Sequence, residues 1–194
     1  MFENDFLDFF TRVHPAVPVV LFGPAIALLA VLGFDGAGVA APAWIAGGYL
    51  FWTLTEYWLH RVVFHFEPDH PIGQRFHFVI HGVHHDHPND RLRLVMPPSA
   101  SVPLAALFLL LFWSVLGPGS WEAFAAGFLG GYLAYDMLHY HVHHHVPKSR
   151  AGKKLRELHM RHHFQDGDRG YGVSAPWWDH VFGTAPRQRP RRSS

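Results

Sequence analysis

Four uncharged tracts divide this chain, separated by short segments where polar residues crowd together. Residues 16–34 carry no charge and match the ~20 residues that a helix needs to cross a hydrocarbon core. Pro18 and Pro24 lie inside this tract, and membrane helices tolerate proline better than soluble ones. Residues 36–55 form a second tract, continuing through Glu56 to His60, and residues 94–120 a third. The fourth, 123–135, is short between Glu122 and Asp136, but its Gly127-Phe-Leu-Gly-Gly131 run suits close packing against a neighbouring helix. The pattern predicts an all-α fold with four transmembrane helices, at about 16–34, 38–59, 97–117 and 121–139. Cytosolic segments are expected over 60–96 and 140–185, with a basic tail over 186–194, all in one integral-membrane domain spanning 1–194.

Basic residues orient this arrangement. Neither lysine nor arginine occurs between Val13 and His60, or between Leu94 and Pro147. Four spans place all the basic segments on one side, which the positive-inside rule assigns to the cytoplasm. Both termini and any chemistry therefore belong on the cytoplasmic face, since the opposite loops near Asp35 and Gly117 are tiny. The basic, proline-containing tail is expected to rest near anionic headgroups. No basic leader precedes the first span, so no cleavable signal peptide is expected.

Composition changes the picture at two points. The mean hydropathy of +0.03 resembles that of a soluble protein, but only because the 16% of charged residues are bunched. The absence of cysteine excludes disulfides, thiolate metal sites and cysteine nucleophiles together. A formal charge of +1 gives no reason to expect a nucleic-acid partner. Histidine, the commonest metal ligand, occurs 18 times.

Ten of these histidines fall into four clusters: His60 with His65; His81, His84 and His85; His139 with His143; His159, His162 and His163. Spacings of three and four place side chains on one helical face, so each of the last three clusters is expected to aim at a common point. The five-residue step from His60 to His65 predicts a helix end or an irregular turn. One metal in a nitrogen-rich site takes about four to six ligands, so ten imidazoles suit two metals. Zinc has no redox chemistry, although it can occupy such a site in a purified sample; a pair of irons can activate dioxygen against a C–H bond. Glu56 and Asp136, four and three residues before His60 and His139, are expected to orient ligand imidazoles, with Asp86, Asp166 and Asp179 as further candidates. His77 is a candidate for the same supporting role. Tyr171 and Trp178 are expected to line a substrate mouth.

At these positions the chain resembles the fatty acid hydroxylase/sterol desaturase superfamily, and within it the fatty acid (sphingolipid) 2-hydroxylases. The matching stretches are Glu56-Tyr-Trp-Leu-His60-Arg-Val-Val-Phe-His65, His77-Phe-Val-Ile-His81-Gly-Val-His84-His85, Arg93-Leu-Val-Met-Pro-Pro98, Tyr135-Asp-Met-Leu-His139-Tyr-His-Val-His143 and His159-Met-Arg-His162-His163-Phe. Tyr171-Gly-Val-Ser174 with Trp178-Asp179 also matches, so the likeness covers about residues 45–185. The resemblance implies four membrane helices under a cytosolic helical cap, with a dimetal centre on the ten histidines that uses O2 and two electrons per turnover. The implied product is a 2-hydroxy acyl chain on a fatty acid or ceramide-like lipid. Fungal and animal relatives often carry a fused cytochrome b5 domain; here a separate donor, cytochrome b5, ferredoxin or similar, is expected. A carotenoid hydroxylase or sterol-modifying oxidase would use the same histidines. A metal transporter or sensor would place ligands at the bilayer midplane instead.

Overall fold

The computed structural model of the protein describes residues 12–66 and 69–187, so most of the expected basic tail lies outside the described residues. Among these residues the regular structure is helical throughout. Helix α1 spans Ala16–Ala37, and Gly38, at φ 54°, turns the chain through a short 3-10 segment into α2, Ala41–Trp58. Leu59–Phe64 continues α2 as a wider π-helical turn. Then come α3 (Pro71–His77), a second π-helical turn (Phe78–Gly82) and α4 (Val83–Asp86). Helix α5 spans Pro98–Val115, α6 Ser120–His144, α7 Arg150–Phe164 and α8 Trp177–Val181. The four long apolar helices fall close to the four expected tracts. The largest difference is α6, which runs past the expected end at 139 and carries both of its histidines on unbroken helix.

Contacts along α6 fix the directions of its neighbours. The ring of Phe22 lies 5.0 Å from that of Tyr132, while Gly33 abuts Ala123 near the other end, so α1 runs antiparallel to α6. Helix α2 runs parallel to it, with Gly48 against Phe124 and Trp52 against Gly131 and Tyr132. Helix α5 is again antiparallel, since Phe112 meets Phe124 while Met96, just before the helix, meets Asp136. Helices α2 and α6 therefore deliver their C-terminal ends, and their histidines, to the same end of the bundle.

Helix α6 is the core of this arrangement. Ala123, Ala125, Ala126, Gly127 and Gly131 are buried along it, and these small residues let the surrounding backbones approach closely. That is why its apolar tract looks weak as a span: it is wrapped by protein and needs few large apolar side chains. The outer helices are the reverse. Leu28, Val31, Leu107, Leu110 and Trp113 are each about 60% exposed. Two stretches, Ala16–Phe64 and Pro98–Val115, are long and apolar enough to cross a membrane by length and composition. In water so large an apolar surface would be a severe liability, whereas against lipid tails it costs nothing.

The glycine contacts make the packing testable. A Cβ on Gly48 would lie 1.9 Å from the Phe124 carbonyl oxygen, and one on Gly127 1.9 Å from that of Ile45, whereas Gly130 has nothing within 4 Å. Gly48→Ala and Gly127→Ala should each cost about 1–3 kcal/mol or more through forced backbone separation, and Gly130→Ala should cost nothing measurable. Thermal melts of the detergent-solubilised variants check this; equal melting of all three would contradict the α2–α6 contact.

Candidate metal centre

The irregular turns that end α2 and follow α3 decide where the first histidines point. An α-helical turn separates residues five apart, but the π-helical turn closes with a bond from His65 N–H to the His60 carbonyl, 3.2 Å. This brings the His60 and His65 rings to 5.0 Å between centroids. The irregular turn expected from their spacing is therefore present. His77 donates from Nε2 to the Phe64 carbonyl at 2.6 Å, bracing the turn from outside.

The ten histidines collect into two groups of five, and within each the candidate ligand atoms lie within 4.8 Å of one another. One group is His60, His65, His81, His85 and His162; the other is His84, His139, His143, His159 and His163. The groups adjoin where the His85 and His163 rings stack at 4.2 Å. The expectation that each triplet aims at one point is corrected here. His81 and His85 join one group while His84 joins the other; His159 and His163 join one while His162 joins the other. Helical geometry is the reason. Positions i+3 and i+4 lie about 60° behind and about 40° ahead of position i, so they straddle it rather than coincide.

Two ring tautomers follow from hydrogen-bond partners. His60 Nδ1 lies 2.7 Å from the Tyr171 carbonyl oxygen, and His162 Nδ1 2.7 Å from that of Arg169. A carbonyl only accepts, so each Nδ1 carries the proton and each Nε2 presents a bare lone pair. Both lone pairs face His65 Nε2, at 3.2 and 3.1 Å, which has at most one hydrogen to offer. In the second group both nitrogens of His84 and of His139 are buried without a protein partner. Buried polar atoms are rarely left so. Converging lone pairs and orphaned nitrogens are what a cation at each centre would satisfy, and an all-imidazole donor set suits iron, copper, nickel or zinc.

Burial and crowding keep these rings neutral. His65 is pushed down to about 3 and His85 to about 4, chiefly by burial and then by neighbouring imidazoles, His162 first in both. His81, His84 and His159 are also lowered by burial and then by neighbouring imidazoles. Neutral imidazole is the form that binds metal.

The expected roles of Glu56 and Asp136 are also corrected. Glu56 accepts from the Ser174 backbone N–H at 2.8 Å and from the Ser174 hydroxyl; Asp136 accepts from Met96 N–H at 3.3 Å and the Tyr132 hydroxyl at 3.4 Å. Each carboxylate ties a loop to its helix; the Tyr171 carbonyl takes the His60 proton instead, and His139 has no carboxylate partner at either nitrogen. Asp179 connects the two levels: it accepts from Tyr171 N–H and Gly172 N–H, both at 2.9 Å, in the segment whose carbonyl holds His60. Asp86 is exposed, and Asp166 lies 3.7 Å from Arg169. The two carbonyls were not found from the sequence, because every residue has one and only the fold selects them. Tyr171 is buried with its ring 5.3 Å from that of His65. Trp178 instead donates to Thr53 on α2 at 3.1 Å, apart from the histidines. His14 and His70 accept backbone N–H bonds at helix starts, as loop residues do.

Comparison with known proteins adds to this geometry. A profile of the fatty acid hydroxylase family matches residues 45–184. The dihydroceramide fatty acyl 2-hydroxylase FAH2 of Arabidopsis thaliana is 40% identical over 195 residues, 95% of this chain and 79% of the relative. The ceramide very long chain fatty acid hydroxylase SCS7 of Saccharomyces cerevisiae is 44% identical over 142 residues, 71% of this chain and 36% of that one. The solved structure of full-length Scs7p, in which only the hydroxylase domain is visible, superposes with a TM-score of 0.91 at 34% identity, covering 100% of this chain and 74% of that chain.

Acid should open the site. His65 and His85 titrate near 3 and 4 in the folded chain and near 6.5 when unfolded, so between about pH 6.5 and 4 the unfolded chain binds more protons at these positions. Their contribution to stability is complete above about pH 6.5 and is lost as pH falls toward 3–4. Melting temperatures of metal-stripped protein should therefore fall between about pH 7.5 and pH 5. An unchanged or rising value would contradict the assigned neutral state.

Proposed function

The chain belongs to the fatty acid hydroxylase family, and on that premise we propose that it is a membrane-bound, O2-dependent non-haem diiron monooxygenase that hydroxylates a lipid acyl chain at its 2-position. The observation that carries this reading is the pair of five-imidazole groups with lone pairs turned inward. Each group would hold one metal ion, iron in the active protein: His60, His65, His81, His85 and His162 one, and His84, His139, His143, His159 and His163 the other. Two irons so held would supply the activation of O2 and the attack on an unactivated C–H bond. The substrate class follows the relatives, named for dihydroceramide fatty acyl and ceramide very long chain hydroxylation.

The chain's own residues set the conditions for that chemistry. The Tyr171 and Arg169 carbonyls fix the ring orientations of His60 and His162, and Asp179 fixes the Tyr171 backbone. Phe64, Met96 and Tyr135 give the cavity against His84 and His139 an apolar side. The Tyr171 ring covers the other group and would border the substrate mouth. Helices α1, α2, α5 and α6 would cross the membrane, leaving α3, α4, α7 and α8 as a cap on the cytoplasmic side, where the basic segments gather. A donor such as cytochrome b5 or a ferredoxin would deliver electrons there.

Expression in a host lacking 2-hydroxy lipids, with a donor supplied and under oxygen-18 gas, tests the reaction. Mass spectrometry should find 2-hydroxy acyl chains carrying the label. Their absence, with labelled carotenoid or sterol products instead, would overturn the acyl assignment. Metal analysis tests the partition: His84→Ala and His162→Ala should each lose about half of the bound metal, from different groups, and nearly all activity. Full activity in either variant would overturn the ligand assignment.

A further inference from the structure

Three spaces adjoin in a row, two of them apolar and the one at the histidines of mixed lining, and two side chains are shared between them. Against the histidines lies a cavity bordered by Phe64, His84, Tyr135, Asp136 and His139. Deeper in the bundle, a narrow and almost wholly apolar cleft runs between α2, α5 and α6, walled by Trp52, Leu104, Phe128, Leu129 and Tyr132. Met96 lines both. On the outer face of α2, an open apolar groove runs along Phe51, Leu54, Trp58, Leu59 and Val62. Phe108 lines both this groove and the inner cleft. Helices α2 and α5 meet at the Phe51–Phe112 ring contact, 6.1 Å between centroids, and the groove extends from Phe51 toward the histidine end.

From this continuity we infer that the three spaces form one acyl-chain passage, which opens sideways to the bilayer at Phe108 and is gated at its inner junction by Met96. The inference rests on the acyl-hydroxylase reading above. The occupant is an unbranched lipid chain: the cleft and the groove are apolar, one end merges with the lipid-facing surface, and the other opens on the mixed polar cavity at the histidines. Met96 suits a gate. Its backbone N–H is held by Asp136, which is 1% exposed, while its side chain is only half-buried. An unbranched thioether changes rotamer easily, so the gate opens by side-chain motion with the backbone fixed. Phe108 does the same at the outer threshold with a ring that packs on Phe128 at 4.7 Å.

The passage has a consequence for selectivity. From Pro98 to Phe108 the wall rises about 15 Å along α5. A chain that reaches Phe108 leaves its remaining length in the bilayer, so the site places no upper limit on chain length. Palmitoyl and lignoceroyl substrates should turn over alike, and lauroyl, which scarcely reaches the threshold, more slowly.

Two measurements on the full-length protein decide the matter. In the first, Met96→Trp should lose at least about tenfold of 2-hydroxylation on palmitoyl and lignoceroyl substrates while keeping its metal. Met96→Ala should add hydroxylation beyond the 2-position, because the chain can slide. Full activity of Met96→Trp, or a sharp preference of the wild type for palmitoyl over lignoceroyl, would overturn the passage. In the second, a palmitate carrying a diazirine at mid-chain, within the length that lies inside the passage, is photolysed with the metal-loaded wild type and labelled residues are mapped. Label on Met96 or Phe108 supports the passage; label confined to lipid-facing Leu107 and Leu110 overturns it. Photolabelling needs neither turnover nor a folded variant, so it decides even if Met96→Trp fails to assemble. A wild type that makes no 2-hydroxy product yet labels at Met96 or Phe108 would sink the proposed reaction and keep the passage.

Discussion

Bare imidazole lone pairs converging in a buried volume are the constraint on which the rest of this structure depends. Neutral rings do not attract one another through such lone pairs, and charging them is opposed by burial and by each other. The arrangement therefore suits a cation at each centre and needs a scaffold that holds the rings. The scaffold is visible in the carbonyls of Tyr171 and Arg169, which keep Nδ1 protonated and turn Nε2 inward. Asp179 and Glu56 hold the loop that carries the first of these carbonyls. Buried carboxylates act here on the backbone, and the backbone acts on the ligands.

The same need accounts for how the helices end. Two helices must bring histidines to one place from the same direction, which requires α2 and α6 to run parallel and close together. Gly48 and Gly127 allow that approach at one end, and the edge-on and tilted packing of Trp52 against Tyr132 and Tyr135 continues it toward the histidines. A regular α-helix would turn His65 away from His60, and the π-helical turn corrects this by widening one turn. Large apolar side chains are displaced outward to the faces of α1 and α5, where they stay exposed.

Crossing of the two halves ties the site together. The segment after α2 contributes four histidines to one group and lends His84 to the other, while α6 and α7 contribute four and lend His162 back. Neither half can complete a five-imidazole group alone. A pair of sites built this way shares a boundary, His85 stacked on His163, and the two metals proposed for it would be neighbours by construction.

Much of this was legible in the chain itself. Long uncharged tracts fixed the four principal helices, because length and lack of charge are properties of the sequence that lipid or a core both demand. Histidine spacing picked out the ten residues that gather, and the five-residue step at His60 announced its irregular turn. Tertiary structure decided what spacing could not: which histidine of each triplet joins which group, since that depends on where a second helix stands. It also decided that Glu56 and Asp136 bind loops rather than imidazoles, and that Trp178 turns to Thr53 while Tyr171 faces the site. The partner of the Tyr171 carbonyl and the directions of Glu56 and Trp178 are set by segments over a hundred residues away, and no local pattern records them.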